Sequence, residues 1–451
     1  MSFNQRPDGI RVGLDGPVEN VEEPWSYQPG GHHPVHLGDY LGHDIQYYRV
    51  LHKLNTSGSG NLWLCRLVDS EPTEYVAVKI LTAEFTAKEE QEGRPTSVRL
   101  QRLIQSDLVI RDYCPLPQDT FLIDGPNGQH RCYVYRVPGP SVGRIEKEVA
   151  DPHGFLRRLL HQTVELMAAF HRHGVCHGGI LSFETLEPLQ VDFGADFRPA
   201  NIFLQINLDG LTEKEVMGYL KEPRTAKILL PDDYDPGDSV PAYLVYPPKW
   251  HSIATRFTTD KICLLELEAS FDKTSPPAQG VRAVRNYSAP ELVLDGQCAT
   301  ASDIWSLAAT LFEIRLGTRL FKLNDSSQAA YLQSLVQTLG PYPDPYWCLW
   351  KPMWEWSRPL SGPLRESSLY AKALRLKKML SLNVSHGLTT PGVKDWNEKV
   401  PERERYLLED LLSTMLEYKP DIRPSAERVL QHPYFTLEVT KEHISIVIRT
   451  E

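Results

Sequence analysis

Four short strings hold the residues whose types and spacing can do chemistry, and their order carries more than any one of them. Lys79 closes VAVK on a β-prone run. By itself, a lysine at a strand end is a solvated charge. DFRPAN sets a carboxylate, Asp196, five residues before the amide of Asn201, with Arg198 between them. YSAPE ends in Glu291, and SDIWS carries Asp303, followed much later by Arg423 in DIRPS. Ahead of Lys79, NTSGSGNL contributes Gly58 and Gly60. Glycine lets backbone N–H groups approach a phosphate with no Cβ in the way, although the string alone reads as a flexible hairpin turn. His177 has no activated serine or cysteine to pair with, which argues against a histidine base.

The elements that must position these residues are readable in the same chain. YYRVLHKL, NLWLCRLV and EYVAVKIL are three β-prone runs divided by turn signals. FLID and CYVYRV form a further pair around GPNGQ. Asp151-Pro152 caps the first long helix, with Leu156, Leu159, Leu160, Val164, Met167 and Phe170 at helical spacing. Residues 299–316, 327–338 and 404–418 read as further helices. Strands early and helices late predict an α+β fold of two lobes. Residues 1–44, rich in Gly, Pro and His, read as an extended leader that packs only locally, and 205–260 read as an insertion.

Composition sets the outer bounds. The chain has 451 residues, 41% hydrophobic, with a net charge of −10. That balance argues against a nucleic-acid binder and suits basic partners. No apolar run reaches membrane-spanning length, and MSFNQRPDGIRVG shows no secretory signal. Seven scattered cysteines without a C-x-x-C argue against a zinc site or disulfide framework and favour a reducing compartment.

In this order the strings resemble the eukaryotic protein kinase family, over roughly residues 45–435. HPVHLGD, CYVYRVPGPSV and NLDGLTEKEV narrow the resemblance to the fungal SR-protein-kinase-like serine/threonine kinases. The resemblance implies a two-lobed kinase fold, with an N-lobe at 45–137, a C-lobe at 138–435 and a tail at 436–451. It implies ATP and Mg as cofactors and Ser/Thr transfer to protein substrates, Arg/Ser-rich ones included. It gives Leu54, Gly58, Gly60, Leu62, Ala77, Lys79, Arg136 and Val137 to the nucleotide, with Lys79 on the phosphates. Asp196 would accept the substrate hydroxyl proton, Arg198 would neutralise the transferred group, and Asn201 and Glu266 would hold magnesium. His177, Glu291, Asp303 and Arg423 would be structural, the last tied to Glu291 and Asp303 tied to the catalytic-loop backbone. A monomer in the cytoplasm or nucleus, touching neither membrane nor nucleic acid, completes the expectation.

Several positions depart from the family pattern. Asn55 and Ser57 replace the first two glycines of the phosphate loop, and KICLLELEASF puts Glu266, Leu267 and Glu268 where the family has DFG. An extra methylene at Glu266 displaces the carboxylate by about a bond length, which can cost about a hundredfold in rate. Asp192-Phe193-Gly194 spells DFG outright but precedes DFRPAN, so it is rejected as the metal motif. The acidic partner of Lys79 stays open: Glu89, Glu90 and Glu92 are near, while Ser97 stands where Glu is expected. These departures support a pseudokinase as the alternative function.

The catalytic loop itself is split. Residues 179–195 separate His177-Gly178 from Asp196; deleting them gives HGDFRPAN. The peptide permits a GT–AG intron of 51 nucleotides that preserves the frame and the aspartate, so the block reads as an unspliced intron. Other features have plainer readings. His32, His33 and His36 belong to a solvated leader, Trp347, Trp350, Trp354 and Trp356 to packing, and Arg375, Lys377 and Lys378 to a solvated helix face.

Overall fold

The computed structural model describes residues 2–5, 11–17, 21–43, 46–91, 96–178, 197–231, 233–248, 250, 257–265, 267, 270–275, 286–296, 298–323, 328–340, 342–343, 376–381, 387–389 and 399–436. Asp196, Glu266, the block 179–195, the rejected 192–194 motif, Glu92, the four tryptophans of 347–356, Arg375 and nearly all of the tail lie outside the described residues.

The first part of the chain is mostly strand. It contains β1 (Ser2–Gln5), β2 (Arg11–Leu14), β3 (Tyr40–His43), β4 (Gln46–Ser57), β5 (Gly60–Leu67) and β6 (Tyr75–Leu81). Three helices follow: α1 (Ala83–Gln91), α2 (Thr96–Ser106) and α3 (Leu108–Tyr113). Then come β7 (Asp119–Gly125), β8 (Gly128–Arg136), β9 (Pro138–Ser141) and β10 (Glu146–Glu148). Six of the strands form one antiparallel sheet in the order β3-β4-β5-β6-β8-β7. The sheet curls until its two edges meet, where the Tyr48 hydroxyl donates to Asp119 at 2.8 Å and the His43 ring approaches the same carboxylate at 3.3 Å.

Every residue of β6 is buried, which a sheet covered on one face would not produce. Leu62, Leu64, Ala77 and Tyr133 pack in one cluster with Leu208, Val216 and Leu220 of the insertion. Trp63, Val76, Val78 and Ile80 pack in another with Val35 of the leader and Val245 of the insertion. The unbroken apolar run YVAVKIL is the sequence signature of that double cover.

The C-lobe is built on helices. α4 (Pro152–Arg172) starts where Asp151 accepts from the Gly154 N–H, as the cap signal predicts. β11 (Val175–Cys176) and β12 (Ile202–Ile206) follow. The insertion contributes α5 (Glu213–Leu220), closed by a reciprocal Thr212–Glu215 capping box, then β13 (Thr225–Leu229) and β14 (Tyr243–Val245). Next come β15 (Thr258–Leu264), β16 (Phe271–Asp272), α6 (Pro290–Asp295), α7 (Thr300–Leu316), α8 (Gln328–Leu339), β17 (Gly387–Thr389), α9 (Glu402–Met415) and α10 (Ala426–Leu430). α7 is buried along nearly its whole length and is the axis of the lobe. In helical residues 376–380, Leu376 and Leu380 are buried while Lys377 and Lys378 face solvent.

The leader corrects the sequence expectation of purely local packing. β1 and β2 join β13 and β14 in a four-stranded sheet, with Leu14 opposite Ile228, and β3 joins the main sheet. The leader's turns supply Val21 and Tyr27 to a core shared with Ala226, Leu244 and Tyr246. Its partners lie far along the chain, so no local pattern announces them. The expectation of solvated histidines fails with it at His32, which is buried, and at His33, which packs on His130 with ring centroids 5.0 Å apart.

Burial drives both His32 and His33 down to about 4. The folded chain therefore keeps these rings neutral while the unfolded chain protonates them near 6.5. Their contribution is complete above about pH 6.5 and is lost as pH falls toward 4. We expect the melting temperature to drop steeply over that interval, and His33→Asn to flatten the drop; a parallel profile for the variant would exclude the assignment.

Candidate active site

The β4–β5 hairpin and the end of β6 bring the first group together. Leu62 stands opposite Lys79 and Leu64 opposite Ala77, while Lys79 faces Tyr133 on β8. Alternation along a strand puts these side chains on one face of the sheet. Leu54, Leu62, Ala77 and Val137 share one buried cluster; Arg136 ends β8 exposed to solvent. Lys79 is 1% exposed, so it is not a solvated charge. The hairpin turns tightly at Gly58-Ser59. The Ser57 hydroxyl lies 3.1 Å from the Ser59 hydroxyl and donates at 3.1 Å to the Gly60 carbonyl, and the Thr82 N–H donates to the Ser59 carbonyl at 2.9 Å. A Cβ at Gly60 would come within 2.1 Å of the Ile80 carbonyl oxygen, so the neighbouring strand demands glycine there.

Of the acids left open as partners of Lys79, Glu89 is buried and Glu90 is exposed. Glu89 accepts a 2.6 Å hydrogen bond from the Tyr133 hydroxyl, and Tyr133 is the cross-strand neighbour of Lys79. Its position on α1, ahead of the helix that carries Ser97, is what spacing alone concealed.

The second group hangs on α7. Asp303 accepts from the backbone N–H of His177 at 2.9 Å and of Gly178 at 3.0 Å, and the His171 ring approaches it at 3.0 Å. Gly178 sits at φ +79°, a left-handed backbone that suits glycine. Seven residues further along α7, Thr310 donates to the Phe197 carbonyl at 2.7 Å. The two ends of the interrupted loop therefore meet: the His177 and Phe197 rings lie 5.2 Å apart. Arg198 follows, half-buried, and a short turn at Pro199–Asn201 buries Asn201. Burial, then the Asp303 and Asp272 carboxylates, push the nearby Cys176 thiol up to about 12, so no thiolate nucleophile stands here.

From Asn201 the chain runs into β12, which pairs with β15 so that Ile202 lies opposite Leu264. The strand ends that lead to Asn201 and to position 266 thus leave the sheet side by side. Leu265 joins the cluster under the N-lobe sheet, and Leu267 joins the C-lobe core. Farther down, Arg423 donates to both oxygens of Glu291 at 2.7 and 2.8 Å and stacks over Trp305, while Ser302 donates to Glu291 at 2.8 Å.

Residues 261–435 match the family model described as protein kinase domain. The chain carries a protein kinase domain. Over 93% of its length the kinase is 24% identical to serine/threonine-protein kinase SRPK of Physarum polycephalum, covering 92% of that protein. It is 25% identical to serine/threonine-protein kinase AFC3 of Arabidopsis thaliana, over 90% of this chain and 85% of the relative. A crystal structure of a kinase domain superposes with a TM-score of 0.51 at 17% identity, covering 90% of this chain and 98% of the other, and shows the two-lobed kinase fold. By these matches the chain is a serine/threonine protein kinase. The family match starts directly after the insertion.

Sequence reasoning missed one buried cluster in this kinase. Glu404 accepts from Arg315 at 2.6 and 3.1 Å, from Arg157 at 3.1 Å and from the Tyr434 hydroxyl at 3.0 Å. The available signal was a glutamate in register with Leu408, Leu411, Leu412 and Met415 on the buried stripe of α9.

Proposed function

We propose that the chain transfers the γ-phosphoryl group of ATP to serine or threonine hydroxyls of basic, Arg/Ser-rich proteins in the cytoplasm or nucleus. The observation that carries the reading is the hold of Asp303 on the His177 and Gly178 N–H groups, with Asn201 leaving the same loop toward β12. The net charge of −10 suits basic substrates.

The donor types fit magnesium: an amide oxygen at Asn201, buried just before β12, and a carboxylate at Glu266 are hard oxygen ligands. When bound, Mg²⁺ neutralises charge on the phosphates. Lys79, held out of water, places a point charge toward them. Asp196 takes the proton from the substrate hydroxyl, and Arg198 offsets charge on the group in transit. Glu89 is proposed as the acid that orients Lys79, through its place beside Tyr133.

Asp196→Asn is expected to lower phosphate transfer to an Arg/Ser peptide by about a hundredfold or more while the chain keeps its thermal stabilisation by ATP–Mg. A chain indifferent both to ATP–Mg and to the substitution would be a scaffold, the reading that Asn55, Ser57 and Glu266 favour.

A further inference from the structure

Among the described residues of the leader, the most completely buried charge sits against the hairpin just described. Glu22 is 1% exposed, and Lys53, at 0%, donates to it. The Tyr27 hydroxyl donates to the same carboxylate, and the Asn61 amide approaches it at 3.4 Å. Lys53 lies on β4 and Asn61 on β5, so one carboxylate grips both arms of the hairpin whose turn is Gly58-Ser59. Asn61 passes the hold onward, because its side-chain oxygen accepts from Thr56 at 2.7 Å across the hairpin. The Lys53 ammonium also sits over the Trp63 ring at 5.2 Å.

The same leader fixes the element on the other side of Lys79. The carbonyls of Gly31 and Gly30 accept from the N–H groups of Ala83 and Glu84, at 3.0 and 2.8 Å. These are donors in the first turn of α1 that no intrahelical carbonyl can satisfy. α1 carries Glu89. Asn127, in the β7–β8 turn, locks this stretch by donating to the His32 carbonyl at 2.7 Å.

We infer that Glu22 is a positioning residue for the nucleotide, setting the phosphate-loop hairpin through Lys53 and Asn61 from the outer side of the sheet. This rests on the kinase reading of the hairpin. A loop short of two family glycines depends on being held in one shape, and a buried ion pair supplies a single register where an apolar contact would tolerate several. Burial alone would raise the Glu22 carboxyl; Lys53, then His32, and the hydrogen bonds from Lys53 and Tyr27 bring it below the usual carboxylate range, while burial draws the Lys53 ammonium down.

The test is steady-state kinetics of the full chain with an Arg/Ser peptide, each variant assayed well below its own melting temperature. Tyr27→Phe, which deletes one hydroxyl, is expected to raise KM for ATP about threefold, and Glu22→Gln about tenfold. Peptide KM and kcat should stay within about twofold. If Glu22→Gln fails to fold, Tyr27→Phe carries the test. A purely structural Glu22 would lower the melting temperature and leave KM for ATP unchanged, and that result overturns the inference alone. A wild-type chain that neither transfers phosphate nor binds a fluorescent ATP analogue overturns the inference together with the kinase reading.

Discussion

Excising residues 179–195, so that Gly178 is followed by Asp196, is expected to raise phosphate transfer by about a hundredfold or more. The structure supplies the reason. His177 and Gly178 are fixed by Asp303, and Phe197 is fixed by Thr310, all on the buried helix α7. The anchors on either side of the block hold their places with the block present, and the flanking rings already touch. Asp196, next to the downstream anchor, would gain a one-bond tether to the upstream one. A base must sit within a fraction of an ångström of its working position, which a tether enforces and a 17-residue excursion does not. Reverse-transcription PCR across the codons for Phe170 to Phe203 gives an independent reading. A transcript 51 nucleotides shorter than the gene makes the excised chain the natural one. Unchanged activity on excision, with a full-length transcript, would make the block a tolerated loop.

Glu404→Ala is expected to cost about 3–5 kcal/mol of stability. Arg315 is wholly buried, and its guanidinium is answered by Glu404 and the His153 ring. Removing the carboxylate strands that charge, together with Arg157, at the junction of α4, α7 and α9. Glu404→Gln keeps hydrogen-bonding capacity and should fall between the two in denaturant midpoint. Burial alone would raise the Glu404 carboxyl, yet Arg315 and then Arg157 bring it below its ordinary value. The contribution is therefore present above the ordinary carboxylate range and fades as pH falls through it. Equal midpoints for wild type and Glu404→Ala would show that the cluster carries no net stability.

What was legible in the chain follows from the range of each interaction. The β6 run, the α4 cap and the α7 span are set by neighbours within a few residues, and each appears where its pattern puts it. Asp303 and Arg423 were named from short strings, and the geometry gives them the backbone of 177–178 and the carboxylate of Glu291. Glu89 could not be singled out, because its burial depends on which face α1 turns to β8. The partners of Glu22 and Glu404 were hidden for a similar reason: even where Glu404 falls on the buried stripe of α9, a lone carboxylate shows no sign of a cation arriving from another element.

The pairing of Leu14 with Ile228 bears on when this molecule becomes one. A chain emerging from the ribosome presents its first strands long before their sheet partners exist. At roughly 5–20 residues per second, the wait is on the order of ten seconds or more. Through that interval the apolar faces of β2 and the turn at Tyr27 have nothing native to cover them, which makes them ready contacts for chaperones. The N-lobe thus cannot close fully until the insertion has been synthesised.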